Sequence, residues 1–184
     1  MSDLRIIDVK RSVFEDNNAD ADRLRQELKD KHVFLLNLMS SPGAGKTTAL
    51  KALTKELKNK LKIGIMEADI DSDVDTRMML ESGVDAIQIH TGGMCHLDAD
   101  MTILSVPEGH DKPLKYPLMY ETCDLLVVNK IDTLSCFDFD KEKVVEYAKL
   151  RNPNIHIIFA SAKTGEGIPE LAKWITDQVS EWNN

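Results

Sequence analysis

Four things are scarce or missing in this chain, and each absence removes a class of function. Cysteine occurs three times, at positions 95, 123 and 136, too few and too scattered for a disulfide framework, so each reads as a reduced thiol. No apolar run approaches the roughly 20 residues that span a bilayer, which leaves out a transmembrane helix. The first 30 residues, MSDLRIIDVKRSVFEDNNADADRLRQELKD, contain no apolar stretch of the signal-peptide kind, so the expected location is the cytoplasm. Basic charge is outweighed, with 23 Lys and Arg against 31 Asp and Glu for a net charge of −8, and aromatics make up only 5%. Without a basic stripe or a stacking platform, nucleic acid is not the expected partner, and neither is a membrane.

What remains is a globular composition, 42% hydrophobic and 29% charged over 184 residues, enough for one full core. No internal repeat or low-complexity tract interrupts it. Short apolar runs alternate with segments of helical periodicity. Strands are expected over residues 33–39, 61–66, 86–89, 102–106, 125–129 and 155–160, and helices over 47–57, 139–150 and 168–182. Near-continuous apolar strands separated by helices imply an α/β fold. Its sheet is mostly parallel and twisted, with helices on both faces. Ligands of such sheets sit at the carboxyl ends of the strands. Residues 1–32 read as an N-terminal helical extension, with an amphipathic or solvated helix over 20–30, and 33–184 as the main domain.

Three motifs fall at the expected strand ends. SSPGAGKTT, residues 40–48, follows the first strand and opens a helix. It matches the second half of the phosphate-loop pattern, with Ser40 where the first glycine is usual. Gly43 and Gly45 let the backbone curl so that N–H groups face an anion, and the helix adds its positive end. Candidate nucleotide contacts here are Ser41, Gly43, Ala44, Gly45, Lys46, Thr47 and Thr48. Lys46 is expected on the β and γ phosphates, as a catalytic residue, and the Thr47 hydroxyl on Mg²⁺. The bland alternative, a Gly-Pro turn, does not explain why strand, glycine loop, lysine, hydroxyl and helix all occur in order.

NKID, residues 129–132, ends the strand LLVVN, and SAK, residues 161–163, ends the next one. An ionised aspartate only accepts hydrogen bonds, so Asp132 suits the adjacent N1–H and N2–H donors of guanine and not the edge of adenine. Asn129 can tie base to phosphate loop, the Lys130 stem can lie over the base, and the Ala162 N–H, between Ser161 and Lys163, can reach guanine O6. The three motifs together point to a phosphate-loop GTPase using GTP, GDP and Mg²⁺.

Two segments are harder to read. EADIDSDVDTR, residues 67–77, fails the calcium-loop spacing, because Val74 and Leu80 stand where Gly and Glu are required. Its place beside the phosphate loop favours Mg²⁺ binding and water positioning. Asp69 is the candidate for orienting the attacking water, and Asp69 and Asp75 are candidates for Mg²⁺. HTGGMCHLDADM, residues 90–101, sets Cys95 beside His96. A thiolate and an imidazole suit zinc, copper or nickel, yet a buried thiol next to a satisfied histidine fits equally well. Two ligands per chain rarely make a tight site, whereas two copies about a two-fold axis would supply four.

In order along the chain, SSPGAGKTT, the acidic segment, TGGMCHLDADM, SVPEGHDKPLKYP, NKID and SAKTGEG resemble the HypB-type GTPases. These are accessory proteins for nickel insertion into nickel–iron hydrogenase, and the resemblance covers nearly the whole chain. It implies slow, Mg²⁺-dependent GTP hydrolysis, GTP-dependent homodimerisation, and Ni²⁺ or Zn²⁺ held by Cys95 and His96 at the dimer interface. It also implies hand-over involving a nickel metallochaperone and the hydrogenase large subunit. Ordering of the acidic segment by GTP would couple nucleotide to metal through the Gly92-Gly93 hinge. The urease-type nickel GTPases, with Cys-Pro-His in place of Cys95-His96, are the nearest alternative, and a non-catalytic metal-binding scaffold is the third.

One departure stands out. The family continues after His-Leu-Asp-Ala with a helix and a strand ending in Glu-Asn-Val-Gly-Asn, whereas here Met101 runs directly into TILSV. At least one strand–helix unit, about 30 residues or more, is absent between 101 and 102. Deleting a central strand would expose or collapse a core, so the native molecule is expected to possess it.

Overall fold

The computed structural model describes residues 22–68, 85–89 and 100–184. A first helix, α1, covers residues 22–30. It is followed by β1 (Leu38–Ser40), α2 (Lys46–Leu57), β2 (Gly64–Ala68), β3 (Asp85–Ile89) and β4 (Met101–Ser105). Two short helices, α3 (Lys112–Lys115) and α4 (Leu118–Glu121), then β5 (Leu125–Asn129), α5 (Lys141–Arg151), β6 (His156–Phe159) and α6 (Ile168–Trp182) complete the chain.

Every strand pairing is parallel, as near-continuous apolar strands require. β1, β4, β5 and β6 form one sheet in that order, while β2 and β3 pair as a second. All residues of β4 and β5 are buried, so helices cover both faces. The register sets Thr102 against Leu126 and Leu104 against Val128. Leu104, Leu126 and Val128 therefore face one way, into a cluster with Tyr120, Val144, Ala148 and Ile155. The two long helices α2 and α6 each present an apolar stripe at the spacing expected of one face. In α2 it is Ala49, Leu53 and Leu57, and in α6 it is Ile168, Leu171, Ala172 and Ile175.

β1 is shorter than the apolar run 33–39 suggests, and a side chain explains why it starts only at Leu38. The Asn37 N–H donates to Asp100 Oδ2 at 2.7 Å, and the Asn37 carbonyl accepts from both the Asp100 and Met101 N–H groups at 3.1 Å. A carboxylate thus takes the position that the next ladder bond would need. Two cysteine readings are also settled. Cys123 is buried in the core with its Sγ donating to the Leu125 carbonyl at 3.0 Å, and burial pushes its thiol up, so it packs as a neutral group. Cys136 is an exposed free thiol.

Chain contacts divide the molecule into two units, Met1–Leu35 with Asp177–Asn184, and Leu36–Thr176. In the first, the rings of Phe34 and Trp182 meet edge to face at 6.1 Å, and Glu27–Lys31 and Asp22–Arg25 pair along exposed α1. The second carries both sheets and all the motif loops described below. No described helix is long and apolar enough to cross a membrane.

The turn into α6 depends on one glycine. Gly167 has φ +74°, and a Cβ there would lie 2.2 Å from the Phe159 carbonyl oxygen. Gly167→Ala is therefore expected to cost roughly 2 kcal/mol or more of unfolding free energy, measured by urea titration. Wild-type stability in that variant would contradict the geometry.

Candidate functional site

Loops from three strand ends converge. The phosphate loop leaves β1, the NKID turn leaves β5, and the SAK loop leaves β6. At Gly45 the backbone turns through φ +93° into α2, and no side chain caps that helix. The N–H groups of its first turn thus lack the side-chain acceptor that most helices provide, an arrangement suited to an anion. A side chain at 45 is ruled out twice over, by φ and by space, because a Cβ there would come within 2.6 Å of Asn129 Nδ2.

Asn129 is 2% exposed and bonded on both sides. Its Nδ2 donates to the Ala44 carbonyl at 2.9 Å, and its Oδ1 accepts from the Ala162 N–H at 3.1 Å. One side chain thereby joins the phosphate loop to the SAK loop. Lys130 follows in a left-handed conformation, φ +62°, and its Nζ donates to the Gly43 carbonyl at 2.6 Å. The phosphate loop is thus held from the NKID turn at two adjacent residues.

Asp132 is held from the opposite side. The buried Ser161 hydroxyl donates to Asp132 Oδ1 at 2.7 Å, which restrains one oxygen of the carboxylate. The SAK loop is in turn closed on itself, with Ser161 N–H to Glu166 O and Gly165 N–H to Ser161 O, both at 2.8 Å.

These bonds enclose a cavity of about 200 Å³ lined by Gly45, Thr48, Asn129, Lys130, Asp132, Thr133, Ala162 and Lys163. That is below the roughly 300–1,000 Å³ of sites that engulf a whole drug-sized ligand. It suits a ring system inserted between the loops with its phosphates outside. Seven of the residues singled out in the sequence meet there. Ser41, Gly43, Ala44 and Ser161 support it from behind, and Lys46 and Thr47 begin α2. Asp69, Asp75, Cys95 and His96 lie outside the described residues.

Three residues escaped the sequence reading. Thr133 lines the cavity and donates through Oγ1 to the Lys130 carbonyl at 2.7 Å. Its place next to Asp132 was the available signal. Glu108 and Lys112 lie next to the phosphate loop; they belong to the motif SVPEGHDKPLKYP, but nothing in it assigned them a role in the site. Burial by itself would raise the Glu108 carboxyl, but bonds from the Ser105 N–H and hydroxyl, helped by the nearby Ser41 hydroxyl and the charge of Lys112, outweigh it and hold it below its ordinary value.

A parallel sheet with an uncapped, glycine-led helix on its first strand and an Asn-Lys-x-Asp turn beyond defines a phosphate-loop nucleotide-binding protein. The family described as CobW/HypB/UreG, nucleotide-binding domain, matches residues 34–108. The hydrogenase maturation factor HypB of Rhizobium leguminosarum bv. viciae is 35% identical over 213 residues, covering 95% of this chain and 71% of the relative. That of Escherichia coli K12 is 34% identical, with 97% and 74% covered. Among solved structures, HypB from Helicobacter pylori in complex with nickel superposes with TM-score 0.82 at 26% identity over 90% of this chain and 96% of that one. HypB from Archaeoglobus fulgidus gives 0.81, also at 26% identity, over 90% and 99%. The chain belongs to the HypB family of hydrogenase maturation factors.

Proposed function

We propose that this chain is a GTPase of the cytoplasm that places nickel in nickel–iron hydrogenase. The observation that carries the guanine assignment is Asp132. Its carboxylate is restrained through one oxygen by Ser161 at the wall of the cavity, and an ionised carboxylate, which only accepts, suits guanine's adjacent donors. Lys46 then neutralises the β and γ phosphates, and Asp69 orients the attacking water. Thr47, on the first turn of α2, is a hard oxygen ligand of the kind Mg²⁺ takes, with Asp69 and Asp75 completing its protein ligands. The metal supplies charge neutralisation on the phosphates when bound.

Cys95 and His96 are the proposed nickel or zinc ligands, paired across a homodimer, with a nickel metallochaperone and the hydrogenase large subunit as the other partners. The donor set fits, since thiolate and imidazole both suit these ions and two copies reach four ligands. The nickel-bound relative supports this reading. Tenfold control of metal affinity by the nucleotide needs only about 1.4 kcal/mol of differential binding.

We also infer that the native molecule carries a further strand–helix unit between 101 and 102. Of the 213 residues matched in the Rhizobium relative, 95% of this 184-residue chain, about 175, can account for all but about 38. Among the described residues, β1 pairs with β4 alone, and β2 and β3 form a separate sheet. Both facts support a strand that belongs beside β1.

Asp132→Asn replaces an acceptor with a donor and is expected to move preference from guanine to xanthine nucleotides in competition binding; unchanged guanine preference would remove the base assignment. Cys95→Ala should abolish tight nickel binding in equilibrium dialysis while GTP turnover persists, and wild type should hold nickel differently with GDP than with a GTP analogue. Unaltered nickel stoichiometry in the variant would discard the site, and equal affinity in the two nucleotide states would discard the coupling. Intact-mass spectrometry of the native protein should exceed 20.7 kDa by about 30 residues or more; a mass of that value would show that the unit does not exist.

A further inference from the structure

Between the phosphate loop and the guanine loops, the end of β4 carries an ion pair that the reading above does not use. β4 lies between β1 and β5 in the sheet. Glu108 closes the single 3-10 turn Val106–Glu108 that follows it. Its Oε2 accepts from the N–H and the hydroxyl of Ser105, both at 2.8 Å. Its Oε1 is buried without a hydrogen bond, and the nearest charge is the Lys112 ammonium at 3.4 Å. That ammonium lies 4.6 Å from the centre of the Tyr116 ring and donates to Ser41 Oγ at 3.3 Å. The two side chains keep only 15% and 20% exposure.

A largely buried pair with such long contacts does little for stability, because desolvation cancels most of its attraction. What it does hold is Ser41, the second residue of the phosphate loop. The loop is then pinned at three points: Ser41 by Lys112, Gly43 by Lys130 and Ala44 by Asn129. The last two pins come from the guanine-reading turn. The first comes from α3, beyond the end of β4, and touches nothing that lines the base cavity. A loop already in its binding shape loses less entropy when it closes on an anion, so pins of this kind raise affinity without contacting the ligand.

We propose that Glu108, acting through Lys112 and Ser41, is a positioning residue of the phosphate loop that sets nucleotide affinity and leaves base selection to Asp132. The inference rests on the proposed nucleotide-binding function, and the test separates the two. GDP binding is titrated calorimetrically for wild type, Ser41→Ala, Lys112→Met, Glu108→Gln and the double variant Ser41→Ala/Lys112→Met, with thermal unfolding and guanine-to-xanthine preference measured on each. Each single change is expected to weaken GDP binding about fivefold, the scale of one ordinary net hydrogen bond. The double variant should be no weaker than the worse single one, because both remove the same interaction, and base preference should not move. Affinities within twofold of wild type, tighter binding in Glu108→Gln, additive losses in the double variant or a shifted base preference would each overturn the proposal. If Lys112→Met and Glu108→Gln fail to fold, Ser41→Ala carries the test alone, since it removes one hydroxyl, and wild-type GDP affinity in it is fatal. A wild type that ignores guanine nucleotides ends the functional reading and this one with it, whereas a wild type that binds them with additive losses ends only this one.

Discussion

The buried amide of Asn129 is the contact on which the site depends. It is one of few polar side chains in a core otherwise built from apolar residues. Its two hydrogen bonds run to backbone groups on different loops, 85 and 33 residues away in sequence. Burying an amide is costly unless its partners are met, so the native fold must bring both loops to this point or forfeit the compensation. The geometry of the cavity follows from that requirement. Gly45 is small because Asn129 occupies the space a side chain would need, and Lys130 turns into the left-handed region as the chain leaves the same strand.

Strand order explains why the site has the parts it has. β1 and β5 are not neighbours, because β4 lies between them. The loop after β1 and the turn after β5 therefore need a bridge across the end of β4. Asn129 and Lys130 supply it from one side, and the turn after β4 fills the gap with Glu108 and Lys112. The parallel arrangement puts all these loops at the same end of the sheet, since parallel strands share their carboxyl ends. Functional side chains can then gather from distant parts of the chain while the strands beneath remain wholly buried and apolar.

Much of this was legible beforehand, and the legible parts share a cause. The phosphate loop, NKID and SAK are local patterns in which a few adjacent residues carry both the backbone geometry and the chemistry. The β5 strand and α6 were found at their observed bounds because apolar spacing alone distinguishes them. The late start of β1 was not legible, because it is set by the carboxylate of Asp100, 63 residues away from Asn37. Helices α3 and α4 were missed as well. Each is four residues long, with Pro113 and Pro117 at their starts, and a pattern so short has no periodicity to read.

The amino-acid sequence by itself determined the class of fold and the polarity of its strands, and it marked the groups expected to face a nucleotide, because these depend on residue type and spacing within single segments. It also read Cys123 and Cys136 as reduced thiols, and the structure places one in the core and one on the surface, both free. Tertiary structure alone decided how those groups are held. The Lys112–Ser41 contact joins residues 71 apart, and the Lys130–Gly43 contact joins residues 87 apart. Such contacts exist only after the sheet has assembled, since the chain must first close loops of that length before a side chain can meet its backbone partner.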